Sequence, residues 1–99
     1  MKRKLKSVLT DDLEHCYITG SSHVAIHHVF PGTGRRKLCD KYGFIVPLEP
    51  SIHNMSRVSV HNNPNTGIDL QLKQECQRYF EAHYGSRDKF IEVFGRSYL

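Results

Sequence analysis

Ala25-Ile26-His27-His28-Val29-Phe30 sets two adjacent histidines inside an otherwise apolar run. Its Val, Ile and Phe residues predict a strand, and along a strand neighbouring side chains leave on opposite faces. His27 and His28 therefore cannot share a surface, and each must do a different job. Histidine suits two jobs in particular. Its neutral imidazole binds divalent transition metals, and its acidity permits proton abstraction near neutrality.

Working outward, Cys16-Tyr17-Ile18-Thr19-Gly20 is a short β-prone piece ending in a Gly-Ser-Ser turn signal, so it and residues 23 to 30 are expected to form a hairpin. Downstream, Pro31-Gly32-Thr33-Gly34-Arg35-Arg36-Lys37 reads as a flexible loop with three consecutive cations. Its glycines permit close backbone approach to a ligand and its arginines can fork onto phosphate oxygens. It lacks the Gly-Lys-Ser/Thr ending of a P-loop. Gly43-Phe44-Ile45-Val46 predicts another strand, ended by Pro47 and Pro50. Ser51 is placed to cap a short helix from about Ile52 that carries His53, followed by Val60-His61 and an Asn- and Pro-rich loop.

The last third is helical in pattern. Leu72, Cys76, Tyr79, Phe80 and His83 recur at helical spacing, with Lys73, Glu75, Gln77 and Arg78 at the polar positions between them. Gly85 stops this helix and Ser86 caps another, with Phe90, Ile91 and Phe94 as its apolar face up to Gly95. The expected class is α+β, in one domain of modest core: a basic lead-in over residues 1–10, then a single unit over 11–99. Within that unit a strand-bearing core covers about 14–62 and a helical part about 66–99.

A net charge of +4 over 99 residues favours a polyanionic partner, and the lysines and arginine of the lead-in add to it. Cys16, Cys39 and Cys76, odd in number and widely spaced, argue against a disulfide framework and a cysteine-only zinc site. No apolar run is long enough for a membrane span. The basic start is followed by Asp11-Asp12 where a signal peptide would be apolar, so a cytoplasmic location is expected.

Seven histidines is the unusual count. His15, His23 and His83 are read as ordinary surface or structural residues. The pattern of the other four resembles the HNH, or ββα-metal (His-Me finger), nuclease superfamily, and more narrowly its small bacteriophage proteins. It rests on His27-His28, on the apolar run into Leu48, on His53 and on Val60-His61. Lys41-Tyr42-Gly43-Phe44, Leu70-Gln71-Leu72-Lys73 and the closing Phe90-Ile91-x-x-Phe94-Gly95-Arg96-x-Tyr98-Leu99 extend it over most of the chain from Cys16 onward.

The resemblance implies a ββα-metal core, with two C-terminal helices appended, that hydrolyses DNA with a divalent ion: Mg2+, Mn2+ or Zn2+. His27, His53 and His61 would ligate the metal and His28 would be the base that activates water, leaving a 5′-phosphate and a 3′-hydroxyl. Arg35, Arg36 and Lys37 are assigned to substrate on charge alone. For a phage protein the location implied is the host cytoplasm. Cutting both strands of a duplex implies two sites and hence a homodimer, whereas nicking needs one.

Two departures stand out. Many HNH proteins carry two Cys-x-x-Cys knuckles around a structural zinc, but here those places read Cys16-Tyr17-Ile18-Thr19 and Glu49-Pro50-Ser51-Ile52. No four-cysteine structural zinc is expected, and the C-terminal helices must supply the missing stability. No Asn lies between His28 and His53, and Asn54 falls late. These departures motivate an alternative, a non-cutting HNH scaffold that binds a protein or nucleic acid, for example to inhibit a bacterial defence system. A third reading is a DNA-binding module around a closed zinc site made of histidines with Cys16 or Cys39.

Overall fold

The computed structural model describes residues 6–32, 34–50 and 66–99. Two short strands and three helices follow in the order β1 (Ala25–His28), α1 (Arg35–Tyr42), β2 (Ile45–Leu48), α2 (Gly67–His83) and α3 (Arg87–Phe94). This is the α+β class that the sequence predicts. The segment carrying His53 and His61, with the short helix expected there, lies outside the described residues.

The strands pair differently from the expectation. β1 runs antiparallel to β2, with Ala25 opposite Leu48, Ile26 opposite Pro47, His27 opposite Val46 and His28 opposite Ile45. Residues 16–20 do not form the predicted hairpin strand; they close a turn in which Gly20 N–H donates to Cys16 C=O at 2.8 Å. The piece sends β2 a single bond, Tyr17 N–H to Pro47 C=O at 2.8 Å. Pro47 sits inside β2 rather than ending it, and with no N–H it has nothing to return to Tyr17.

The outer edge of β2 is covered by the lead-in. Val8 N–H donates to Gly43 C=O at 2.9 Å and Ser7 Oγ to Ile45 C=O at 2.6 Å. With the Tyr17 bond, alternate carbonyls at positions 43, 45 and 47 are all satisfied on that edge, which protects it from pairing with another chain. The approach is close enough to require glycine at 43. A Cβ there would lie 2.9 Å from Val8 Cγ1, and its φ of 79° is in the left-handed region.

A second correction concerns the Pro-Gly-Thr-Gly stretch. Arg35, Arg36 and Lys37, expected in a loop, form the first turn of α1. No acidic residue offsets them there, although the positive helix end disfavours cations. Tertiary contact overrides this local preference. Cys39 is fully buried, and its Sγ accepts from Phe30 N–H at 3.4 Å and donates to Phe30 C=O at 3.5 Å.

Phe30, just past β1, is the centre of an aromatic core with Phe44, Phe80, Phe90, Phe94 and Tyr98. Its ring lies 4.5 Å from Phe94 and 5.7 Å from Phe90, centroid to centroid. Each fully buried Phe contributes about 2–3 kcal/mol. Leu72, Cys76 and Phe80 face this core along α2 as the spacing predicts, and Ser86 caps α3 by accepting from Lys89 N–H at 3.2 Å. Ile91, expected on the apolar face of α3, is exposed.

Lys73 and Gln77, expected at polar positions, are buried together with Asp69. The last residues of the chain account for part of this. Gln77 Oε1 accepts from Tyr98 N–H at 2.7 Å, Gln74 Nε2 donates to Tyr98 C=O at 2.9 Å, and Lys73 Nζ lies 5.4 Å from the Tyr98 ring centroid.

Candidate active site at the end of β1

The strand separates the two histidines as its pleat requires. His27 is buried, across from Val46. His28, across from Ile45, keeps its side chain 16% exposed and its Nε2 lies 3.0 Å from Asp40 Oδ1. Asp40 reaches this position because α1 turns back along β1 and the Cys39 thiol is fastened to Phe30. That contact fixes the rotation of the helix, and the next side chain meets the histidine two residues before Phe30.

A carboxylate only accepts hydrogen bonds, so the pair sets the proton on Nε2 of the neutral ring. Nδ1 is then the basic nitrogen, and no hydrogen bond reaches it among the described residues. An imidazole oriented through one nitrogen by a carboxylate, with the other available, is the arrangement of a general base.

No family model, curated protein or solved structure matched the chain.

Among the expected metal ligands, only His27 falls within the described residues; His53 and His61 lie outside them. Among the described residues no three His, Cys, Asp or Glu side chains converge on one point. A buried imidazole is a suitable donor for a transition metal.

The three expected substrate cations separate. Arg35 is half-buried and its guanidinium lies against Gly95 at the end of α3, where a Cβ would come within 2.8 Å of Nη2. It therefore sits beside the carbonyl end of α3, a favourable place for a cation. Arg36 and Lys37 are exposed.

The cysteines divide as well. Burial pushes the Cys39 thiol up to about 11, and burial with the nearby Cys39 sulfur pushes Cys76 well above the ordinary range. Both are core thiols, which argues against Cys39 as a zinc ligand. Burial also raises Cys16, but hydrogen bonds from Thr19, Glu49 and Ile18 outweigh it and leave this thiol below the ordinary value. Thr19 N–H donates to Cys16 Sγ at 3.4 Å, so this thiol is held by hydrogen bonding. His15 pairs with Asp12 at 2.7 Å on the surface, and His83 stacks on Tyr79 at 4.2 Å.

Asp40 is the member of the candidate site that the sequence reading did not name. Its only local signal was a position 12 residues beyond His28, and that signal is silent once residues 31–37 are taken for a loop.

Proposed function

We propose that the chain is a metal-dependent DNA endonuclease or nickase of HNH type, in which His28 is the general base. The observation that carries this is the hydrogen bond from His28 Nε2 to Asp40, which orients the ring and leaves Nδ1 to take a proton from water. The positive net charge and the exposed Arg36 and Lys37 in the first turn of α1 support a phosphodiester substrate. In this reading β1, β2 and the segment after Leu48 make a ββα-metal core, and His27, His53 and His61 hold the ion.

His27, His53 and His61 would hold a divalent ion, which when bound would supply the charge that polarises the scissile phosphate and stabilises the departing oxygen. His28 withdraws the proton from the attacking water, and Asp40 stabilises the imidazolium that results. The residual Cys16 turn and the aromatic core hold the strand pair without a second metal.

The test is conversion of supercoiled plasmid to nicked or linear form with magnesium or manganese. Cutting should stop with chelator and with His28→Ala while the circular dichroism spectrum stays unchanged. Cutting that survives both would come from a contaminant, and the assignment would fall.

A further inference from the structure

Asp40 also lines an open cleft of about 160 Å³, with Lys6, Lys41, Tyr42, Tyr79 and Tyr84 among its other walls. Tyr84 forms its aromatic wall and is 45% exposed, among the most exposed large apolar side chains described. Its ring is held in place: it packs edge-on to Tyr42 at 5.1 Å, lies 5.7 Å from Tyr79, and its hydroxyl donates to Tyr42 C=O at 3.3 Å. Lys6 is fixed beside it because the neighbouring Ser7 and Val8 are bonded to Ile45 and Gly43. Lys41 lies over the Tyr42 ring at 5.4 Å.

We infer that this cleft binds an unpaired nucleotide of single-stranded DNA, its base stacked on Tyr84 and its phosphate met by Lys6 and Lys41. An apolar cavity of roughly 150 Å³ is enough for one benzene-sized ring. An exposed ring with cations at its rim is how sequence-tolerant single-strand sites are built, since every base has a π-face and every nucleotide a phosphate. A base inside a duplex has both faces covered and cannot stack there. Asp40 lines the cleft and its Oδ1 lies 3.0 Å from His28 Nε2, so the cleft and the histidine share this residue. The assignment rests on the nuclease reading for its purpose and names that enzyme's substrate as unpaired or branched DNA.

The test is fluorescence anisotropy of the full chain with a labelled thymidine oligonucleotide and, separately, a duplex of equal length, both in chelator so that nothing is cut. The single strand should bind more tightly than the duplex. Tyr84→Leu should weaken single-strand binding roughly tenfold, the scale of one lost stack, without changing duplex binding, while Tyr84→Phe should retain it. Equal affinity for the two forms, or an unchanged Tyr84→Leu protein of normal fold, would overturn the proposal. So would a Tyr84→Leu protein that alters only its sedimentation, since the face would then bind a second copy of the chain. A protein that binds as expected yet cuts neither single-stranded oligonucleotide nor plasmid with magnesium or manganese sinks the nuclease reading alone, and one that cuts without the Tyr84 effect sinks the cleft alone.

Discussion

Two side-chain contacts to aspartate, of nearly equal length, sit in opposite surroundings. Lys73 Nζ and Asp69 Oδ2 are 2.8 Å apart with both side chains 4% exposed, whereas His28 Nε2 and Asp40 Oδ1 are 3.0 Å apart at 16% and 27% exposure. Charges removed from water pay for their desolvation, so the α2 pair serves the fold only if its attraction and its other bonds offset that cost. The β1–α1 pair remains within reach of solvent. Under the proposed function, accessibility rather than pairing geometry would separate a structural contact from a reactive one.

The sharpest way to break this contrast is to remove one member of each pair. His28→Ala should lower the cutting rate by about 10²- to 10⁴-fold, the usual weight of a general base, and leave urea unfolding almost unchanged. A large loss of stability with that substitution would make the site pair structural too, and the distinction would vanish.

Lys73→Met should do the reverse. Taking the ammonium away from a buried carboxylate 2.8 Å off should lower stability in urea unfolding, by up to about 3–5 kcal/mol. A single variant of undiminished stability would show that the α2 pair is not sealed.

The helical third was legible because its signals are local. The Leu72, Cys76 and Phe80 spacing, the Ser86 cap and the Gly95 stop act within a turn or two, and each is in place. The burial of Lys73 and Gln77 was not legible, since it depends on residues 97–98 arriving from the end of the chain. Strand existence could be read at 25–28 and 45–48, but pairing could not. Residues 16–20 have strand composition, and only the geometry of Pro47 and the turn to Ser21 deny them a ladder. At the site, the opposite facing of His27 and His28 followed from the pleat alone. Asp40 did not, because its place depends on a helix held by the Cys39–Phe30 contact against the charge preference of its own first turn.

Asp40→Asn tests whether the exposed pair works by orientation. An amide can present either its oxygen or its nitrogen, so it no longer enforces a proton on Nε2. Cutting should fall on the order of 10²-fold, with metal affinity by isothermal titration unchanged. An unaltered rate would reduce Asp40 to a bystander.

Helix α1 repeats the contrast within two consecutive residues, since Cys39 is sealed in the core while Asp40 faces outward. Burial raises the folded Cys39 thiol to about 11, against the ordinary 9.0, so between these values the unfolded chain ionises while the folded one stays protonated. The folded state then holds more protons than the unfolded state, and stability must fall as pH rises. The contribution is fully present below about pH 9 and is lost by about pH 11, with Cys76 acting in the same direction. Unfolding free energy should drop by about 2 kcal/mol between pH 8 and pH 11 on account of Cys39, and Cys39→Val should remove that part of the slope. A slope that Cys39→Val leaves intact would mean that the thiol titrates normally, and the inner face of α1 would then be as open as the outer one.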